Sequence, residues 1–147
     1  MVDGTVLMTS NDHVPEVFTS AASSDPRYSA AFEDNGSVAY GYLLLDKKIV
    51  GDVWLYNRGD APSQRPWIDR TQKPPFANPV EFVLPGSFAP VSAPEDVSFR
   101  WFYGEDDRPL NVEVWIRGKL HGRLAPGSKP GWCLLAAKNG PLALRLE

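Results

Sequence analysis

A chain of 147 residues with a formal net charge of -3 and 22% charged residues is long enough to bury one core, and its charge balance gives no footprint for nucleic acid or a membrane surface. The single cysteine, Cys133, can form no internal disulfide, which fits a reducing compartment, and no apolar run approaches the ~18 residues that cross a bilayer. Residues 1–60 carry nine acids and four bases, and 61–147 nine acids and eleven bases, a split that an ordinary solvated exterior produces.

The N-terminal "MVDGTVLMTSNDHV" has neither a basic start nor an apolar run of signal-peptide length, so the expected address is cytoplasmic. "VPEVFTSAASS" comes nearest to a helical pattern but is short, Ser-rich and uncapped. "RYSAAFEDNGSVAYGYLLL" places Asn35-Gly36 between two strand-like runs, and "LLLDKKIVGDVWLYN" turns at Asp46 to Lys48. Arg58-Gly59-Asp60 then follows a strand as ordinary turn chemistry, since an adhesion motif would need to lie outside a cell.

Eight of the fourteen prolines fall between Pro62 and Pro94, and proline is confined to edges, first positions and bulges of sheets. Residues 61–79 therefore read as a long surface loop bearing Trp67 and Phe76, "VEFVL" as a short edge strand, and Pro85 to Pro94 as a second connection.

Beyond it the period of two is clear. Val97, Phe99, Trp101 and Tyr103 alternate with polar or outward residues, as do Val112, Val114 and Ile116. For "EVWIRGKLHGRL" a three-residue loop, Arg117 to Lys119, pairs Ile116 with Leu120 and Glu113 with Arg123; a two-residue Arg117-Gly118 turn would set His121 and Arg123 beside valines. In "CLLAAKNGPLALRL" an Asn139-Gly140 turn sets Ala137 opposite Leu142, Leu135 opposite Leu144 and Cys133 opposite Leu146, all on one apolar face. "SVAYGYLLLDKKIVGDVWLYNRG" and "DVSFRWFYGEDDRPLNVEVWIRG" look alike, either as a duplicated unit or as the common form of a Trp-bearing hairpin. The expected fold is a single all-β domain over 1–147: an antiparallel β-sandwich or flattened barrel of about eight to ten strands crossed by the Pro-rich loop.

Sites for chemistry are sparse in this pattern. The two histidines, His13 and His121, have no His or Cys at ligand spacing, and Glu105-Asp106-Asp107 lacks the interleaved carboxylates and glycine of a calcium loop. No Gly-x-Ser-x-Gly elbow, phosphate-cradling loop or dinucleotide fingerprint is present. Cys133, inward and without a charged neighbour, reads as inert packing. The expectation is a protein without catalytic residues, bound metal or cofactor. Trp54, Tyr56, Trp101 and Trp115 either fill the core and the contact with the crossing loop or form a ring-lined surface.

Tyr28-Ser-Ala-Ala-Phe32-Glu33-Asp34-Asn35-Gly36, then Gly41-Tyr42, Ile49-Val-Gly-Asp52 and Leu55-Tyr56-Asn57 resemble a motif of a family of small bacterial proteins of unknown function, over about residues 27–57. That motif reads Tyr-x-x-x-Phe-Glu-Asp-Asp-Gly, a Gly-Tyr pair, then Ile-x-Asp closing on Ile-Tyr-Asn; Asn35 stands where it has its second Asp, and the Pro-rich loop is an insertion. The resemblance implies a small bacterial β-protein and no catalytic residues.

Two functions follow from these readings. The first is a protein-binding module, most concretely an immunity or antitoxin-like protein that occludes a toxin, with Trp67 and Phe76 as anchors and the row Arg117, Lys119, His121 and Arg123 as a basic rim. The second is a carbohydrate- or small-ligand-binding sandwich that uses exposed Trp and Tyr.

Overall fold

The computed structural model describes residues 16–146; His13 lies outside them. Strands β1 (Val17–Ala22), β2 (Tyr28–Asp34), β3 (Val38–Leu45) and β4 (Lys48–Asn57) form a four-stranded antiparallel meander. A five-stranded sheet follows, from β5 (Val97–Tyr103), β6 (Pro109–Ile116), β7 (Lys119–Leu124), β8 (Trp132–Cys133) and β9 (Leu144–Arg145), in sequential order. The sheets are not closed into a barrel, so of the two expected forms the sandwich is the one adopted. The segment with the weak helical pattern forms β1 instead, since pairing with β2 outweighs a short uncapped propensity.

Alternation puts the core between the sheets. Phe32, Leu43, Val53, Leu55 and Tyr56 from the first face Val112, Val114, Ile116, Leu124 and Cys133 from the second, and every one of them is buried. Along one flank the sheets are stitched by backbone: Asp52 N donates to Ser128 O at 3.0 Å, Gly131 N to Asp52 O at 2.7 Å, and Trp54 N to Leu142 O at 2.9 Å. At the β1–β2 turn, Ser24 N donates to the Tyr103 hydroxyl at 3.0 Å, tying β5 to the first sheet.

The turns correct several expectations. The β6–β7 turn is the two-residue Arg117-Gly118, with φ of 49° and 77°, the left-handed pair that matches strand twist. Ile116 pairs with Lys119 rather than Leu120, and a register shift between Val114 and Trp115 absorbs one residue, so that Glu113 still meets Arg123. The bulge turns His121 inward, to 2% exposure, which removes it from the outward row expected for it.

The Asn139-Gly140 hairpin does not form. Trp132 and Cys133 pair with Leu144 and Arg145 in parallel, and residues 134–137 instead meet the segment before β5: Leu84 N donates to Leu135 O at 2.9 Å and Ala137 N to Phe82 O at 2.8 Å. Gly140 serves a different purpose there, because a Cβ on it would stand 2.6 Å from the Phe82 ring. "VEFVL" is likewise a 3-10 turn at Val80–Phe82 followed by a single bridge, Val83 to Ala136, rather than a strand.

Candidate functional site

The Pro-rich loop is long but tethered. At its end, the Asn57 amide imitates a strand neighbour: Nδ2 donates to Asn78 O at 2.9 Å and Oδ1 accepts from Asn78 N at 2.9 Å. The same Oδ1 accepts from Trp54 Nε1 at 2.8 Å. The Tyr40 hydroxyl, on the outward side of β3, donates to Phe76 O at 2.8 Å, and Val80 N donates to Pro62 O at 2.9 Å. The loop therefore lies across the outer face of the first sheet. Trp54, which also faces that way, is fully buried beneath it, and burial pushes the Tyr40 phenol well above its ordinary range.

Within the loop, Trp67 sits in a 3-10 turn (Pro66–Ile68) and packs on Phe76 (ring centroids 6.4 Å apart) and on buried Phe82 (6.0 Å). Arg65 lies over the Phe82 ring at 5.5 Å and Lys138 at 5.1 Å, while Glu81 accepts both Arg65 Nε and Nη2 at 3.0 Å. Hydrogen bonding from Arg65 holds the Glu81 carboxyl below its usual value. Ile68 remains 71% exposed beside this cluster, with Val80 and Leu84 also exposed. The loop borders an open groove of about 780 Å³ whose lining includes Pro62, Arg65, Lys73, Pro74 and Phe76.

The expected basic row is dispersed. Arg117 Nη2 donates to Ala89 O at 2.6 Å, and its guanidinium covers Phe88 at 5.3 Å. Lys119 is exposed, His121 is in the core, and Arg123 lies on the outward side of β7, 3.6 Å from Glu113. None of the four touches Trp67 or Phe76 by hydrogen bond, ion pair or ring contact, so the structure joins the two anchors but not the rim to them.

A second cluster, inside the sandwich, escaped the sequence reading. Asp34, wholly buried, accepts from the Tyr56 hydroxyl at 2.6 Å, from Arg58 Nε at 2.8 Å and from Gly36 N at 2.9 Å. Arg58 Nη2 then donates to Val91 O at 3.1 Å, and Val91 N to the Tyr56 oxygen at 3.0 Å. Burial, then the bond to Asp34, raises the Tyr56 phenol. Arg58 of the Arg-Gly-Asp triplet is thus committed to an interior ion pair. The signal was present as an acid and a base at two strand ends, but only the register brings them together.

His121 Nε2 lies 2.7 Å from Leu55 O, and Cys133 Sγ donates to the same carbonyl at 3.4 Å. Burial lowers the imidazole to about 4 and raises the thiol to about 12, so both are neutral near pH 7. A protonated thiol against a carbonyl is no nucleophile. Among the described residues no group of three His, Cys, Asp or Glu could hold a metal ion.

No family model, curated protein or solved structure matches this chain. Its surfaces must be read from their own chemistry. For a ring-lined platform, Trp54 and Tyr56 are buried, Trp101 packs against the core from β5, and Arg100 covers the Trp115 ring at 3.8 Å.

Proposed function

We propose that this protein is a non-enzymatic binding module whose Pro-rich loop docks on another protein, most concretely a toxin that it occludes. One observation carries the reading: Ile68 stands 71% exposed beside Trp67, on a loop braced at Asn57, Tyr40 and Pro62. Apolar side chains on a constrained loop can be desolvated at little ordering cost, which is what interface anchors require. Trp67 and Phe76 form the base of the patch and Ile68 its protruding part. The dispersal of the cations removes His121 from the rim and leaves Lys119 as a group that steers encounter rather than one that contacts the anchors.

The resemblance over residues 27–57 supports a bacterial setting, and the cytoplasmic address is part of the proposal. No helix among the described residues is long and apolar enough to cross a membrane. The test is co-expression with the product of the adjoining gene in the native genome. That product alone should arrest growth, the intact protein should restore it, and a folded Ile68→Asp variant should fail to. A harmless neighbour, or full rescue by Ile68→Asp, would refute the reading.

A further inference from the structure

The outward side of the five-stranded sheet is built as an ordered surface that the loop does not use. Pairing aligns Arg100, Glu113, Arg123, Trp132 and Leu144 in one row across β5 to β9, with Ser98, Trp115 and Leu120 in the next. Glu113 is already occupied: Oε1 accepts from Trp115 Nε1 at 2.9 Å, and Oε2 lies 3.6 Å from Arg123 Nη2. Arg100 is not. Its guanidinium stacks 3.8 Å over the Trp115 ring, and among the described residues it has no carboxylate partner. Phe102, two residues along the same strand face, is 44% exposed.

We propose that this face is a second docking surface, for an acidic segment of a partner protein, with Arg100 as its carboxylate-binding group. A guanidinium held on a ring keeps its planar fork pre-organised, so a carboxylate can bind bidentately with little side-chain ordering. Glu113 does not oppose this, because Arg123 offsets its charge and the Trp115 N–H satisfies its other oxygen. Phe102 and Trp132 supply the apolar area that such a segment would cover. Charge complementarity selects the occupant: with Arg123 paired to Glu113, Arg100 remains as the unpaired cation of the face. One unpaired guanidinium is too few cations to track a phosphate backbone, which argues for a protein carboxylate over nucleic acid. This surface involves none of the loop residues and stands or falls apart from the loop reading.

The test uses the isotope-labelled full chain titrated with a short synthetic peptide of Glu and Asp around one Phe, beside its Gln and Asn counterpart. The acidic peptide should shift the amides of Arg100, Phe102, Glu113, Trp115 and Arg123 and leave 66–84 unmoved. Its affinity should fall as salt is raised, and Arg100→Gln, at an exposed site, should weaken it by about fivefold or more with the fold intact. Arg100→Lys should restore only part, since it returns the charge without the fork. Equal binding of the neutral peptide, shifts confined to 66–84, no shift at all, or tighter binding of a single-stranded oligonucleotide would each overturn the proposal.

Discussion

The Tyr56 hydroxyl donates to Oδ2 of Asp34 at 2.6 Å in the interior, and the phenol oxygen itself accepts from Val91 N at 3.0 Å. One phenol therefore joins the end of β2 to the connection that precedes β5. Arg58 repeats the link from its own side, pairing with Asp34 and donating to Val91 O. The 85–94 segment, which has no strand of its own, is held to the sandwich by these two side chains and by Arg117.

Removing one partner of a buried pair leaves the other charge unsatisfied. Asp34 is fully buried and Arg58 largely so, so Arg58→Ala should destabilise the protein by about 3 kcal/mol. Tyr56→Phe, which removes one donor and keeps the ring, should cost about 1–3 kcal/mol. Urea unfolding of both variants checks this. A change near zero for Arg58→Ala would mean that the ion pair is not formed in solution.

Protonation of His121 supplies a pH dependence of known sign. Its folded value, about 4, lies below the ordinary 6.5, so between these the unfolded chain takes up a proton that the folded state refuses. Stability is therefore full above pH 6.5 and declines as pH falls toward 4, by up to about 3 kcal/mol from this group. Between pH 6.5 and 5, where ordinary carboxylates stay ionised, unfolding midpoints should fall in the intact protein and stay nearly flat in His121→Gln. A flat profile in both would place the imidazole in water.

Cys133 should react slowly with a thiol reagent in the native state and rapidly in denaturant, because its buried thiol is raised to about 12. Cys133→Ala should cost on the order of 1 kcal/mol and leave binding unchanged. Rapid native labelling would contradict its place in the core.

Two glycines separate turn chemistry from packing. Gly118 has φ of 77° with open space where a Cβ would stand, whereas Gly140 has the Phe82 ring 2.6 Å away. Gly118→Ala should cost about 1 kcal/mol through backbone strain, and Gly140→Ala about 1–3 kcal/mol through overpacking. Only the second should be rescued in part by Phe82→Leu. Unfolding measurements on the two glycine variants, on Phe82→Leu and on the two double variants decide it.

Two Asn-Gly dipeptides show which features local sequence encodes. Alternation of apolar residues located β2 to β7, because one face of each strand is buried and side-chain period follows directly from backbone geometry. Asn35-Gly36 was legible for the same local reason: Asn35 Oδ1 accepts from Ser37 N and Val38 N. Asn139-Gly140 carried the same dipeptide without the turn, because what decides residues 134–140 is the non-local docking of Val80–Leu84. The Asp34–Arg58 pair depends on register between strands more than twenty residues apart. The inward His121 depends on a bulge that alternation cannot foresee. Of the candidate site, the loop over 61–79 and its two rings were legible, but its tethers at Asn57 and Tyr40 were not, because they depend on which strand face the loop crosses. The prominence of Ile68 was not, since nothing in the sequence distinguishes a protruding isoleucine from a packed one.

The central claim is that the exposed apolar group on the braced loop is where a partner binds, and Ile68 tests it most cleanly. Trp67 packs on Phe82, so its removal would disturb stability and binding together; Ile68, 71% exposed, carries little of the fold. Calorimetric titration of the adjoining gene's product with the intact protein and with Ile68→Asp, beside thermal unfolding of both, separates the two effects. Ile68→Asp should lose about 2 kcal/mol or more in binding, roughly thirtyfold in Kd, with an unchanged thermal midpoint. An unchanged Kd for Ile68→Asp would contradict that claim.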